Sequence, residues 1–275
     1  MLNINTNYAA VLARKNLAEV QRQMDKSVER LSSGRRINNA SDDAAGSAIA
    51  GRMESQIRGL TMGVRHAKDG QSLVGTAEGA MQELNKILQR MRELAVQSAS
   101  GVASNTDKDY LNLEMANLTA QITAIAQNTK FNDQNLLTGT AFTFYTDMDV
   151  AGTAIVTTTA ACSAAALAVT AANVSIGGSS TVNTSAAINR IDTAIATVDN
   201  RRAALGAISN RFDHIIDNLQ NVIMNTVASQ SRIVDADFSV ETTNLTRNTV
   251  LQQAATSMLA QANAQKNSIL ALIQQ

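Results

Sequence analysis

Few side chains in this sequence are of the types that bind metals or act as nucleophiles. Neither His66 nor His214 has a second metal ligand four residues further along, the spacing that would place two ligands on one helical face. Cys162 lies among alanine and threonine residues with no histidine nearby in the sequence. The pair Asp42-Asp43 is of a kind that binds cations, but such pairs also cap helices at polar joints. We therefore predict no catalytic, cofactor or metal site, and we interpret Asp42-Asp43 as part of a joint between helices.

Charge and hydropathy exclude two further classes of partner. Lys plus Arg equals Asp plus Glu at 23 each, so no net field attracts nucleic acid or an anionic membrane surface. No apolar run reaches the roughly 18 residues that span a bilayer. The first cations, Arg14 and Lys15, follow apolar residues instead of preceding them, which is the reverse of a secretory signal peptide. We expect no nucleic acid partner, no membrane partner and no export through a cleaved signal peptide.

The composition favours long helices, which would have to position any surface site. The chain has 275 residues and 0 prolines, whereas average usage would give about 14. Because proline removes a backbone donor and clashes with the preceding helical turn, its absence permits long unbroken helices. Aromatic residues make up only 3% of the chain, which suits slender helix-on-helix packing. We predict a mostly α fold in the form of a long antiparallel helical bundle.

Each end of the chain carries an apolar stripe at helical spacing. The first stripe stops at Ser32-Ser33-Gly34, a typical helix end, and the second follows the polar stretch at residues 234–237. Since helical stability comes mainly from packing such a stripe, the two ends must pack on each other, pack on other copies of the chain, or stay disordered until they do. This pattern is typical of an assembly protein. The stripes comprise Ala10, Ala13, Leu17, Val20, Met24, Val28 and Leu31 at one end, and Leu251, Ala255, Met258, Ala262, Ile269 and Leu272 at the other.

Between the two ends, the helical period continues in three further stretches. The first runs from about residue 44 to residue 100, and its glycines either break the helix near Asp69-Gly70 or let a neighbouring helix approach closely. We favour close approach. Another helix opens at Asp107, and a third runs over about 185–233. Turn residues bracket short apolar pieces in 130–139, which predicts a hairpin.

Residues 140–184 differ in character from the helical stretches. They contain almost no charge and are rich in Thr, Ala, Ser, Val and Gly. Ile155–Thr159 and Ala172–Ile176 are β-prone, and Gly177-Gly178-Ser179-Ser180 is typical of a turn. We predict a short insert that is mostly β or irregular.

Five sequence blocks resemble bacterial flagellin, and they occur in the order and spacing of that family. They are RLSSGRRINNASDDAAG (residues 30–46), LQRMRELAVQSAS (88–100), FNDQNLLTG (131–139), SRIVDADFSVETTNLTR (231–247) and LQQAATSMLAQANAQKNSILALI (251–273). The opening INTN at residues 4–7 fits as well. Asp133 departs from the pattern, because many relatives have glycine at that place.

The resemblance implies the layered architecture of a flagellar filament subunit. An inner D0 layer, formed as a coiled coil of the terminal helices, would comprise residues 1–40 and 240–275. A surrounding D1 layer of helices with a small β-hairpin would comprise residues 41–139 and 185–239. Residues 140–184 would form a short, variable surface insert.

The resemblance also implies a function, a location and partners. The chain would be a structural subunit, not an enzyme, that self-assembles into the extracellular filament of the bacterial flagellum for motility. It would leave the cell through the flagellar type III apparatus. Its partners would be other flagellin copies, a flagellar export chaperone, the filament cap and the hook-filament junction proteins. A hook-filament junction protein of the same family is the alternative, whereas an enzyme or adhesin would need a larger inserted domain.

Three groups of side chains follow from the resemblance. The first is the assembly group, which we expect to be buried only in the filament, in the inner tube: Leu2, Ile4, Leu12, Leu17, Val20, Met258, Leu259, Ile269, Leu270, Leu272 and Ile273. The second resembles the surface that the animal Toll-like receptor for flagellin binds and that neighbouring protofilaments cover: Gln89, Arg90, Glu93, Leu94, Gln97 and Glu114. The third comprises hydroxyls that are either unmodified or O-glycosylated, as in some related filaments: Thr157, Thr158, Thr159, Ser179, Ser180 and Thr181.

Overall fold

The structure, a computed structural model, describes residues 6–146, 154–178 and 184–273, without the side chains of residues 265–273. Within these residues the chain forms five helices and two pairs of short antiparallel strands, so the predicted mostly α fold is confirmed. The helices are α1 (Tyr8–Ser33), α2 (Ala44–Ser98), α3 (Asn105–Asn128), α4 (Thr184–Val234) and α5 (Phe238–Ile273), and the strands are β1 (Lys130–Phe131), β2 (Gln134–Asn135), β3 (Ala141–Tyr145) and β4 (Ala154–Thr158).

The chain divides into two compact units. One unit comprises Met1–Ile57 and Met224–Gln275, and therefore contains α1, α5 and the adjoining ends of α2 and α4. The other comprises Arg58–Ile223, with α3, the strands β1 to β4 and the remaining lengths of α2 and α4.

Local sequence signals set the ends of the helices. Helix α1 ends where Gly34 adopts the left-handed conformation with φ of 69°, as its sequence predicts. Helix α2 begins after Asp43, whose Oδ1 accepts a hydrogen bond from the backbone N–H of Gly46 at 2.8 Å. Helix α3 begins two residues before the predicted Asp107, because Ser104 is the N-cap and Asp107 closes a capping box with it.

Helix α2 is continuous through Asp69-Gly70, and close approach of another element explains the glycine there. A Cβ on Gly70 would lie 2.6 Å from the ring Cζ of Phe212 on α4. The Phe212 side chain is fully buried and packs edge-on against Phe144, with the ring centroids 5.7 Å apart. Close approach does not explain every glycine of this helix, because a Cβ on Gly75 would meet nothing within 4 Å.

The hairpin predicted at residues 130–139 is present. Strand β1 pairs antiparallel with β2, and the two strands are joined by Asn132 and Asp133. These residues have φ of 49° and 60°. A type I′ turn needs two successive residues of positive φ, and asparagine and aspartate tolerate that conformation better than other side chains. Asp133 therefore fits the turn without the glycine that many relatives carry.

The insert is part strand and part irregular, as predicted, but one strand is misplaced in the prediction. Strand β4 overlaps the predicted Ile155–Thr159 and pairs antiparallel with β3, which the sequence did not indicate. The predicted strand at Ala172–Ile176 is wrong, because the Ile176 N–H donates to the Asn112 side chain at 3.0 Å and not to a neighbouring strand. Of the predicted turn at residues 177–180, the first two residues are turn or bend and the last two lie outside the described residues.

The core of the unit 58–223 is formed by inward faces of α2, α3 and α4 at the predicted helical spacing. The insert closes this core, since alternate residues of β4 and several residues after it are also buried. The core residues include Leu84, Leu88 and Met91 of α2, Met115 and Ile122 of α3, Ile191, Val198 and Phe212 of α4, and Ile155, Val169 and Val174 of the insert.

Candidate assembly and recognition surfaces

Helices α1 and α5 pack against each other along a seam that combines the predicted apolar stripe of α1 with polar side chains of both helices. At one end of the seam, Asn7 Nδ2 donates to the carbonyl oxygen of Ala262 at 3.0 Å. In the middle, Gln252 Nε2 donates to Gln21 Oε1 at 2.6 Å. The Asn248 side chain is also buried. Of the three alternatives that the two stripes left open, the structure therefore has the terminal helices packed on each other.

At the other end of this seam, a buried carboxylate on α5 accepts hydrogen bonds from side chains of α1. Glu241 accepts hydrogen bonds from Ser27 Oγ at 3.1 Å and from Arg30 Nη1 at 2.8 Å. Burial raises the pKa of Glu241, but the hydrogen bonds from Arg30 and Ser27 outweigh it, so the pKa lies below its ordinary value. Ser27 therefore occupies the seam where the sequence predicted Val28, which is 49% exposed.

Other apolar side chains lie on the outer faces of α1 and α5. Leu251 and Met258, predicted in the packing stripe of the last helix, are 44% and 63% exposed, whereas the residues that follow them, Gln252 and Leu259, are partly buried. Tyr8, Val11 and Leu12 are likewise exposed on α1. We call these five side chains the outer apolar set.

The remaining members of the predicted assembly group fall into two classes. Leu17, Val20 and Leu259 are partly buried at the seam. Leu2 and Ile4 lie outside the described residues, and the side chains of Ile269, Leu270, Leu272 and Ile273 lie outside them as well.

The two interhelical linkers of this unit meet at the polar joint that the sequence predicted. Arg35 and Asp235 form an antiparallel bridge, and the Ala236 N–H donates to the Gly34 carbonyl oxygen at 3.0 Å. Lys26 Nζ lies 2.7 Å from Asp42 Oδ1. The Lys26 ammonium and the N–H groups of residues 39 and 38 hold the pKa of Asp42 to about 2. Asp42 thus ties the linker to α1.

The predicted recognition surface lies on the outward faces of α2 and α3. Arg90 Nε lies 3.0 Å from Glu114 Oε1, and Arg90 Nη1 lies 3.0 Å from Glu93 Oε2. The hydrogen bonds to Glu114 and Glu93 raise the pKa of Arg90. Gln89 and Gln97 are exposed beside this cluster. We call Gln89, Arg90, Glu93, Gln97 and Glu114 the Arg90 surface.

Leu94 does not belong to this surface. Its side chain is fully buried, as are those of Leu88, Met91 and Ala95, which the sequence placed on the inner stripe. Leu94 follows Met91 by three residues and so shares its inward face. A partner of the folded chain therefore meets the polar residues around Leu94 and not Leu94 itself.

Sequence reasoning missed an exposed apolar group beside the Arg90 surface. Val102, in the turn between α2 and α3, and Tyr110, on α3, are 94% and 70% exposed. Both line a shallow groove with Gln97 and Leu111. The available signal was the position of Tyr110, which lies off the inward stripe formed by Leu111 and the apolar residues that follow it on α3.

The insert buries two of the hydroxyl side chains considered for glycosylation. Thr157 and Thr159 are fully buried because alternate residues of β4 and its continuation face the core. The Thr159 hydroxyl donates to the Thr140 carbonyl oxygen at 2.9 Å. Thr158 is exposed. Ser179, Ser180 and Thr181 lie outside the described residues.

Within residues 6–146, 154–178 and 184–273, no group of three or more His, Cys, Asp and Glu side chains could hold a metal ion. The Cys162 thiol is buried, and burial raises its pKa although Arg201 lies against it. In that same part of the chain, no helix combines the length and the apolar character needed to cross a bilayer.

Comparison with known proteins places both halves of the chain in one group. Residues 4–141 match the bacterial flagellin N-terminal helical region, and residues 188–273 match the bacterial flagellin C-terminal helical region. A flagellin of Halalkalibacterium halodurans is 41% identical over 273 residues, covering 98% of this chain and 99% of the relative. The flagellar filament 33 kDa core protein of Treponema phagedenis is 37% identical over 290 residues, with 98% and 99% covered. The crystal structure of Bacillus cereus flagellin is 30% identical with a TM-score of 0.49, covering 56% of this chain and 88% of that one.

Proposed function

This chain belongs to the bacterial flagellin family, which supplies the structural subunits of the extracellular flagellar filament, and we propose that it polymerises through the outer apolar set of its terminal helices. The observation that carries the proposal is the exposure of Leu12, Leu251 and Met258 on helices that already pack on each other. Each leucine or methionine side chain that becomes fully buried contributes about 1.5–3 kcal/mol. Contact with further copies supplies that burial.

Electron microscopy of a matched pair of variants tests this proposal. Met258→Asp places a charge in the outer apolar set, and Val156→Asp places the same charge on β4, where Val156 is 56% exposed. After warming or addition of salt, we expect long filaments from the wild type and from Val156→Asp, and none from Met258→Asp. Filaments from Met258→Asp at the wild-type concentration would contradict the proposal.

The same experiment separates the filament subunit from the alternative in the family. A hook-filament junction protein shares the terminal helices but does not extend into a long polymer. Purified wild-type chain that stays in short or capped complexes under these conditions would favour the junction protein. Polymers that continue to lengthen under these conditions would favour the filament subunit.

We propose further that the free monomer is recognised by the animal Toll-like receptor for flagellin through the Arg90 surface. Arg90 supports this proposal because its guanidinium is half exposed while Glu93 and Glu114 fix its orientation. A planar guanidinium held in this way presents its remaining donors in a defined geometry. In the filament, neighbouring protofilaments would cover the surface, so we expect activation by the monomer but not by the intact filament.

A dose-response assay in receptor-expressing cells tests the Arg90 surface. Arg90→Ala should weaken activation by the monomer by about 2 kcal/mol, which is roughly thirtyfold, and Glu114→Ala should weaken it less. Lys86→Ala is the matched control, because Lys86 is an exposed cation of the same helix that pairs only locally with Glu83 at 2.7 Å. Superimposable dose-response curves for the wild type and Arg90→Ala would mean that Arg90 stabilises the fold but does not contact the receptor.

The remaining proposed partners act between synthesis of the chain in the cytosol and its incorporation into the filament. We propose that a flagellar export chaperone covers the last helix in the cytosol, that export uses the flagellar type III apparatus, and that the filament cap and the hook-filament junction proteins contact the chain at either end of the filament. The exposed Leu251 and Met258 support the chaperone contact, since an apolar helix face in the cytosol needs cover before assembly.

A further inference from the structure

Strands β3 and β4 form a two-stranded sheet, so each has one edge that pairs with no further strand among the described residues. The Thr159 N–H donates to the carbonyl oxygen of Thr140, which lies opposite it in the same register, at 3.0 Å. In an antiparallel pair, hydrogen-bonded and non-hydrogen-bonded pairs of opposite residues alternate. The backbone N–H and C=O groups of Ala154, Val156 and Thr158 therefore point away from β3, to the outer edge of β4.

Among the described residues, this outer edge carries none of the features by which proteins protect an edge strand. Such edges usually have a charged side chain, a proline or a bulge. Strand β4 has the sequence AIVTT, and its five residues pair with β3 in a continuous register. Val156 is 56% exposed, and Thr158 is exposed beside it. In the described parts of the chain, no hydrogen bond beyond the pairing with β3 uses the backbone of either residue.

The solvent-exposed face of the same sheet is uncharged. Thr143 lies directly opposite Val156, and Tyr145, which is 42% exposed, lies diagonally across from Val156 on the same face. Neither strand contains a charged residue. Such a face offers no charge that would select a charged peptide or a nucleic acid, and it raises no electrostatic barrier to an identical face. It therefore fits a second copy of this chain.

The geometry of β4 also suits pairing with its own copy. Val156 is the central residue of the strand, and its N–H and C=O both point outward. When two β4 strands meet antiparallel about a two-fold axis, Val156 opposes Val156 of the second copy, and Ala154 opposes Thr158. Every outward donor then meets an outward acceptor. The edge of β3 is less open, because α2 approaches its end: a Cβ on Gly63 would lie 2.7 Å from the Thr146 carbonyl oxygen.

From this edge we propose that β4 pairs antiparallel with β4 of a second copy, and that this contact joins neighbouring filaments side by side. Contacts that build an open filament repeat in one direction, so all copies in one filament point the same way, whereas a two-fold contact closes on itself. The second copy therefore belongs to another filament.

The inference rests on the proposed polymerisation and adds to it a contact through a different part of the chain. Strand β4 lies in the unit 58–223, and the outer apolar set lies in the other unit. A single pair of short strands is only marginally stable in water. A filament presents β4 many times along its length, so repeated contacts strengthen the association of two filaments.

Sedimentation of filaments assembled from the purified full-length chain measures this association. Filaments joined side by side pellet at low speed, whereas single filaments pellet only at high speed, and electron microscopy identifies both forms. We expect wild-type filaments to pellet at low speed. Filaments of Val156→Asp and of Val156→Lys should lose this association, because each variant places like charges directly opposite each other across the two-fold axis.

A mixture of the two charged variants tests the pairing of Val156 with itself. Filaments of Val156→Asp and of Val156→Lys, assembled separately and then mixed, should pellet together at low speed, because opposite charges then face each other.

Proline substitutions distinguish the two edges of the sheet. Val156→Pro removes an outward donor of β4 without removing a bond to β3, and its filaments should also lose the association. Thr143→Pro is the matched control, because Thr143 lies opposite Val156 and its N–H points to the other edge. Filaments of Thr143→Pro should pellet as the wild type does.

Wild-type filaments that stay in the low-speed supernatant would overturn the proposal, and so would Val156→Asp filaments that pellet as the wild type does. A mixture of the two charged variants that stays in the supernatant would contradict the two-fold pairing. Wild-type chain that forms no polymer even at high speed would instead contradict the proposed polymerisation, on which the lateral contact depends.

Discussion

Three donors hold the Asp42 carboxylate in its charged form at the joint between the helices. Lys26 Nζ lies 2.7 Å from Oδ1, and the N–H groups of Asn39 and Asn38 each donate to Oδ2 at 3.2 Å. Because these contacts lower the folded-state pKa from 3.8 to about 2, the stability they give is full above the ordinary pKa, declines as pH falls below it and is lost as pH falls through about 2.

We therefore expect Asp42→Asn to lower the melting temperature by an amount that is constant from pH 7 to about pH 5, shrinks as pH falls below the ordinary pKa of the carboxyl group and vanishes near pH 2. Thermal unfolding of the wild type and the variant across this range measures the difference. Asp25→Asn, on the same helix as Lys26, is the control and should show no such pattern, since Asp25 accepts only a local bond from Gln21. A difference that disappears already near pH 4 would contradict the assignment.

At the scale of single residues, the sequence predicts which side chains are exposed better than it predicts their hydrogen-bond and ion-pair partners. The helical period correctly placed Gln89, Arg90 and Glu93 on the outside of α2. It did not predict the ion pair from Arg90 to Glu114, because that pair depends on how α3 turns back against α2. Leu94 was misassigned for a related reason: resemblance to a bound motif does not say which of its residues face inward.

At the scale of the elements, one glycine of α2, Gly70, makes close packing with α4 possible. Alanine is about 1 kcal/mol better than glycine inside a helix, so glycine persists at a cost where a Cβ has no room. At Gly70 the obstacle is the ring of Phe212, which cannot move aside because it is fully buried.

The same substitution at two glycines of α2 should therefore have opposite effects on stability. Gly70→Ala should lower the free energy of unfolding by about 1–3 kcal/mol, because its Cβ would overlap the Phe212 ring. Gly75→Ala should raise it by about 0.5–1 kcal/mol, because that position is exposed and its Cβ meets nothing within 4 Å. Urea unfolding of both variants measures the two values. If both variants changed the free energy of unfolding in the same direction, the space around each Cβ would not determine the effect of the substitution.

Helices could be predicted from the sequence because each carries its own period and end signals, as at Gly34 and Ser104. Strand β3 could not, since residues 146–153 separate it from β4, and this connection is longer than the loops of about two to five residues by which a sequence signals a hairpin. The apolar stripe of α1 does line the seam with α5, apart from Val28. The polar contacts from α5 could not be predicted, because the period of α5 alone does not say which residues face α1, and here Asn248 and Glu241 face inward while Met258 faces outward.

At the scale of the whole molecule, the two compact units have different needs for a partner. The unit 58–223 has a large apolar core within the chain, which includes Leu88, Met91 and Phe212, although it also exposes Val102 and Tyr110. Among the described residues of the other unit, the only apolar side chains that are buried are Ala10, Ile37 and Ala50, and the outer apolar set is exposed. A unit with that distribution gains most of its apolar burial from other copies. We propose that it corresponds to the inner layer of the filament.

Removal of the last ten residues should therefore abolish assembly without unfolding the remainder. A chain that lacks Lys266–Gln275 keeps every residue of the unit 58–223 and loses four leucine or isoleucine residues of the predicted assembly group. Each such side chain contributes about 1.5–3 kcal/mol when it is fully buried, so their loss removes much of the contact between copies. Circular dichroism should show an unchanged main melting transition, and electron microscopy should show no filaments where the full-length chain forms them. A lost melting transition would mean that the last residues stabilise the monomer itself. Ordinary filaments from the shortened chain would overturn the assignment of residues 240–275 to the inner layer.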